Sequence, residues 1–311
     1  MMIARLWIAR FCLGCSCLVS AAACLAADAG TVTVLDGKAR LLRGTAWYKP
    51  PEGMTVRETD VFDLPEGAEL QIELTDGGAM SITGPGALYL AALTPKDGKQ
   101  PASGELFITR GWAKLGTKSN ETRLRLRTPL GTVAAGNAVA VTHVAPEVVE
   151  AFVESGSVKC VDPGKGEGGV PDTKSGEFCS RAAGKSFAIS GRAPAQFINA
   201  LPRQFMDPLP TLAAKFKNST VEPTLDREAT FAEVQAWLNG PYRAAFLKRF
   251  EPRLTDPSFQ AAVSGSGKAV PEWNATAQTP PAPAKVEPAK EPPKPAPEPE
   301  RKWRWPWEKD K

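Results

Sequence analysis

The chain has 311 residues, enough for one sizeable core with appendages. Its 38 Lys and Arg stand against 34 Asp and Glu, a formal charge of +4. That near balance excludes the strong basic excess of a nucleic-acid binder. A single histidine, His143, excludes a histidine-built metal cluster.

Residues 1–27 read as a secretory signal peptide. Arg5 and Arg10 come first, an apolar run follows over 11–25, and the small residues Ala26, Ala27 and Ala29 close it. Cleavage is expected near Ala27. An uncleaved N-terminal anchor is the alternative, because the run approaches the length of a short spanning helix. Beyond it no stretch is apolar enough to cross a bilayer. Cys12, Cys15, Cys17 and Cys24 lie in this leader, so only Cys160 and Cys179 remain after it. In an exported chain such a pair is expected as a disulfide, with two free thiols the alternative. Closing a loop of about 20 residues would contribute roughly 3 kcal/mol on the chain-entropy account.

From 30 to 190 the pattern is β. Leu70, Ile72 and Leu74 alternate with Gln71 and Glu73, Asp76-Gly77-Gly78 reverses the chain, and Met80 and Ile82 resume the alternation. Period-two apolarity about Asp-Gly is a hairpin signal. The same grammar recurs at 32–37 with Asp36-Gly37, at 106–111 with Arg110-Gly111, and at 148–161 about Gly156. Corners about ten residues apart suit an antiparallel sandwich or roll.

A small helical module is expected over 199–263. A short helix reads over 209–216. Thr230 with Glu233 forms a capping box before Phe231, Val234, Trp237 and Leu238, which share one helical face. A second helix covers 242–250 and a shorter one 259–263. The aromatic stripe is expected to pack on the β body. Residues 264–300 are a disordered linker rich in Pro, Ala and Lys, extending about 3.1 Å per residue where polyproline-like. The last eleven residues, 301–311, are basic and carry Trp303, Trp305 and Trp307, suited to a membrane interface, a polymer or a partner groove.

No catalytic constellation is legible. His143 sits in an apolar strand, where a structural imidazole is the simpler reading, and no Gly-x-Ser-x-Gly elbow or phosphate-binding loop accompanies it. No cofactor is expected, and the chain reads as a non-enzyme. The candidate binding residues are Arg123, Arg125 and Arg127, which alternate with Leu124 and Leu126 and so project from one face of a strand. Such a comb suits phosphate or carboxylate groups, or else is the solvated face of an edge strand. Trp303, Trp305 and Trp307 are the second candidate set.

The order of the β units resembles the FecR domain, over about 30–190: Gly30 to Gly37, Leu70 to Gly77, Gly104-Glu105-Leu106 to Gly111, Arg127-Thr128-Pro129-Leu130-Gly131-Thr132-Val133, then Phe152 to Val158. The helix at 230–238 is similar to the C-terminal extension of some FecR-domain proteins. Where that family usually has Arg-Gly-Thr, this chain has Ala135-Gly136-Asn137. Because the sequence reads as opening on an export signal, the cytoplasmic sigma-factor-binding region of transmembrane FecR regulators is not expected. The resemblance implies a β-rich fold and a periplasmic or otherwise exported protein. Its expected role is a non-enzymatic binding or scaffolding module that contacts an envelope protein, polymer or membrane surface. The alternative is a periplasmic component of a sigma-factor-linked surface-signalling system.

Overall fold

A computed structural model describes residues 29–75, 77–94, 102–117, 122–266 and 270–273. The expected leader, most of the linker and the tryptophan tail lie outside the described residues. The chain opens with β1 (Gly30–Asp36), β2 (Arg40–Arg43), β3 (Ala46–Lys49), β4 (Thr55–Val56), β5 (Val61–Leu64), β6 (Glu69–Leu74) and β7 (Ala79–Thr83). Then come β8 (Gly86–Thr94), β9 (Ala102–Ile108), β10 (Gly111–Gly116), β11 (Thr122–Thr128), β12 (Gly131–Gly136), β13 (Val139–Ala145) and β14 (Val148–Ser155). β15 (Ser157–Val161), β16 (Asp172–Lys174), β17 (Phe178–Ala182) and β18 (Ala188–Ser190) complete the sandwich. Beyond it lie α1 (Ala195–Ala200), β19 (Thr224–Glu228), α2 (Phe231–Leu238), α3 (Arg243–Phe250) and α4 (Pro257–Gly265).

The strands form two sheets. Sheet A runs β18-β17-β14-β13-β10-β7-β6-β1-β4, and sheet B runs β16-β15-β12-β11-β9-β8-β5-β2-β3-β19. The expected mainly β sandwich is what the chain forms. Among the described residues all ladders are antiparallel except β9 with β11, which run parallel because β10, between them in sequence, belongs to the other sheet. Alternation puts Val32, Leu70, Ile72, Met80, Ile82 and Leu115 of sheet A against Leu41, Phe62, Leu88, Leu106, Leu124 and Leu126 of sheet B. This is the main core. At one end, Val133, Ala135 and Val158 meet Ala140, Ala151 and Val153, and the Cys160–Cys179 disulfide ties β15 to β17 across the sheets.

Three glycine corners read as hairpins are not hairpins. Of the four corners, the turn at Gly77 alone joins neighbouring strands, β6 and β7. Asp36-Gly37, Arg110-Gly111 and Ser155-Gly156 carry the chain from one sheet to the other. Both strands beside such a corner point their apolar residues inward, so the alternation is identical in the two cases. Gly156 shows the constraint: its φ is +72°, and a Cβ there would lie 2.0 Å from the carbonyl oxygen of Asn137.

Residues 191–223 form a strap across the outer face of sheet A. Phe197 and Phe205 cover Trp112, Val141, Phe152 and Phe178. Under the strap the polar side of the sheet is buried rather than wet. Lys114, 0% exposed, donates from Nζ to Glu154 Oε1 (2.8 Å) and to the carbonyls of Phe205 (2.8 Å) and Asp207 (2.9 Å). Gln71 donates to the carbonyl of Pro210 at 2.8 Å, and Glu73 accepts from the amides of Leu212 (2.6 Å) and Ala213 (3.2 Å). The expected helix over 209–216 is only a 3-10 turn, Ala213–Phe216, because the strap spends its backbone groups on the sheet. The strap then delivers β19 to the edge of sheet B beside β3.

α2, α3 and α4 cover one half of the outer face of sheet B. Phe231, Val234, Trp237, Phe246, Phe250, Phe259 and Val263 pack on Leu42, Trp47, Val61, Tyr89 and Phe107. The module extends past its expected boundary at 263. α4 continues to Gly265, and Val270 and Trp273 are buried, with Trp273 Nε1 donating to the carbonyl of Leu247 at 3.2 Å. Arg249 locks α3 to the body: its guanidinium donates to the carbonyls of Leu42, Gly44 and Thr59. Burial pulls that group down to about 10, so it stays a cation at neutral pH.

Candidate functional site: a groove on the outer face of sheet B

The helices stop short of β11, β12 and β15, and the uncovered half of sheet B is the floor of a long groove. Its two arms enclose about 1160 and 960 Å³ and join at Glu105 and Arg125. One wall is α2 with the turn 239–241, and the other is the loop 162–167 that follows β15.

The floor follows from strand alternation. Leu124 and Leu126 point into the core, which leaves Arg123, Arg125 and Arg127 on the outer face as expected. The edge-strand alternative is corrected by the topology: β11 lies inside sheet B, hydrogen-bonded to β9 on one side and β12 on the other. A solvated guard against edge pairing has no purpose there. In register, Arg123 faces Gly136 and Arg125 faces Ala134, both small. β15 adds Lys159, which pairs with Asp172 at 3.3 Å.

The three arginines are not equivalent. Arg127 belongs to the helical wall: it donates to Glu105 Oε1 at 2.9 Å and stacks 5.5 Å above the ring of Tyr242, whose hydroxyl donates to the same oxygen at 2.7 Å. Burial raises the Glu105 carboxyl, and the hydrogen bonds from Arg127 and Tyr242 outweigh it, so the group ends below its ordinary value. Burial and the Glu105 contact push the Tyr242 hydroxyl up. Arg125 pairs through Nε with Glu167 Oε1 at 3.0 Å. Arg123 is exposed and, among the described residues, forms no ion pair.

Both walls are pinned. In α2 the capping box forms as expected, with Thr230 N donating to Glu233 Oε2 at 3.0 Å. The same carboxylate takes Arg227 at 2.7 Å and Arg40 at 3.3 Å. The Arg227 bonds first, then the cap, hold Glu233 well below the carboxylate range. Opposite, Asp162 accepts from Lys165 (2.9 Å) and from the amide of Phe187 (2.9 Å), and the Lys165 bond leads in lowering its pKa. The disulfide stands at the root of this loop.

The structure thus brings Arg123, Arg125 and Arg127 together with the disulfide loop at one face. Trp303, Trp305 and Trp307 lie outside the described residues. Sequence reasoning missed Glu105, Tyr242, Glu167 and Lys159, scattered singletons that only the register of β9, β11, β12 and β15 assembles. His143 lies on the other sheet, stacked on Trp112 at 4.3 Å, its Nδ1 3.1 Å from Glu150. No group of three or more potential metal ligands occurs among the described residues.

No family model and no curated protein matches the sequence. Among solved structures, two crystal structures of a candidate anti-sigma factor from Parabacteroides distasonis, at 1.65 and 2.50 Å resolution, are similar to it. They share 15% and 14% identity, each covers 45% of this chain, and the TM-score is 0.36 in both. The chain spans 63% and 62% of the length of those chains, less than two thirds.

Proposed function

We propose that this chain is an exported, non-enzymatic envelope module of the FecR type that works by holding a partner in the groove of sheet B. The observation that carries the reading is the Arg123–Arg125 pair on a flat strand floor between two independently pinned walls. A rigid floor with exposed guanidiniums recognises carboxylate or phosphate groups at little ordering cost. Export is supported by the Cys160–Cys179 disulfide, which persists in oxidising compartments. None of the helices among the described residues is long and apolar enough to cross a membrane. The FecR assignment itself rests on the order and spacing of the glycine corners.

Cross-linking in intact cells followed by affinity recovery tests the proposal, with wild type compared to an Arg123→Gln/Arg125→Gln variant. Partners should be recovered with wild type and lost with the variant. An identical set from both would overturn the groove reading. Release of fragments from peptidoglycan by the purified protein would overturn the non-enzymatic part.

A further inference from the structure

The arginine row on β11 already holds two carboxylates, and they differ in kind. Glu105 is fixed from both sides by Arg127 and the Tyr242 hydroxyl. Glu167 instead stands on a stretch punctuated by Gly164, Gly166, Gly168 and Gly169, and reaches back over the floor to Arg125. The pair is open to water, with 46% of the Arg125 side chain and 39% of that of Glu167 exposed. An exposed pair of this sort contributes little and exchanges readily. Beside it Arg123 has no ion pair among the described residues. Outward side chains on one strand stand about 6.7 Å apart, which is also the i to i+2 spacing of any extended peptide. Gly136 and Ala134, opposite them, leave the surface beside both arginines low.

We infer that the groove takes an extended acidic peptide segment of a partner, with carboxylates two residues apart, and that Glu167 is its built-in competitor. This rests on the groove reading above. The peptide assignment comes from the occupant in view: a carboxylate presented by a length of backbone already fills one position of the row. An incoming segment exchanges Glu167 for its own carboxylate on Arg125 and gains Arg123, which Glu167 does not reach.

The test is fluorescence anisotropy with a labelled peptide of four Glu-Thr repeats and the chain from residue 28 onward, at low salt. Glu167→Gln should tighten binding about two- to fivefold, the value of one exposed ion pair removed from competition. Arg123→Gln with Arg125→Gln should weaken it by about tenfold or more. Glu147→Gln, which removes the same charge at the exposed turn between β13 and β14, should leave it unchanged, and circular dichroism should match for all variants. Binding that needs the two arginines but ignores Glu167→Gln would overturn the competitor and leave the groove standing. Absence of binding to wild type and to Glu167→Gln alike would overturn the acidic-peptide assignment, while the cross-linking result decides the groove itself. A polyphosphate of matched charge that binds more tightly than the peptide would also overturn that assignment.

Discussion

Lys114→Met isolates the clamp that fastens the strap to sheet A. The two side chains are similar in volume, so the change removes the ammonium with little loss of packing. Three hydrogen bonds go with it, to Glu154 Oε1, Phe205 O and Asp207 O. Deleting one member of a buried ion pair ordinarily costs about 3–5 kcal/mol, because the other charge is stranded. Here Glu154 keeps 30% of its side chain exposed and can be rehydrated, and burial of the ammonium no longer has to be offset. The expected loss is therefore about 2–3 kcal/mol, made up mostly of the two carbonyls left without a donor. Urea denaturation measures the total, and hydrogen exchange locates it: amides at 203–213 should exchange faster, while β6 and β10 keep their protection. An unchanged midpoint with an unchanged strap would refute the clamp.

Trp237→Ala should cost about 3–5 kcal/mol, because the indole is buried, stacked on Phe246 at 5.0 Å and set edge-on to Phe107. Limited proteolysis should then cut within 231–265, and resistance equal to wild type would contradict the packing described. Cys160→Ser with Cys179→Ser should lower stability by about 3 kcal/mol. Mass spectrometry of the oxidised wild type should gain two hydrogens on reduction; alkylation without reduction would refute the bond. Acid should loosen the wall of α2. Glu233 and Glu105 titrate below their unfolded values, so their contribution is complete above the ordinary Glu pKa of 4.5 and is lost as pH falls through the lower folded values. Tryptophan fluorescence followed from about pH 6 to about pH 2 should report release of Trp47 and Trp237. Denaturation midpoints that rise on acidification below 4.5 would show the opposite sign.

Much of the fold is legible in the residues alone. Alternation at Leu70, Ile72 and Leu74 marks a strand, Thr230 with Glu233 marks a helix start, and the pair Cys160 and Cys179, outside the expected leader, marks a bond. Each is a local signal with a local cause. What escapes is what depends on a distant element. Gln71, Glu73 and Lys114 look like a solvated face because nothing nearby announces that residues 203–213 will cover them. A turn at Gly37, Gly111 or Gly156 looks like a hairpin because inward-facing apolar residues alternate alike on either side of a corner. Val270 and Trp273 fall in a stretch whose composition turns polar, yet they complete the helical core. The site shows the same division. The comb of Arg123, Arg125 and Arg127 follows from period two, whereas Glu105, Tyr242 and Glu167 join it only through sheet register and the return of the chain after β19.

The most direct trial of the account is photo-cross-linking in living cells from a reactive side chain placed at Thr132, on the groove floor, against the same group placed at Glu147 on the opposite sheet. A covalent adduct formed from position 132 and absent from position 147 is the expected result. Adducts from 147 alone would place the working surface on the wrong face of the sandwich and contradict it.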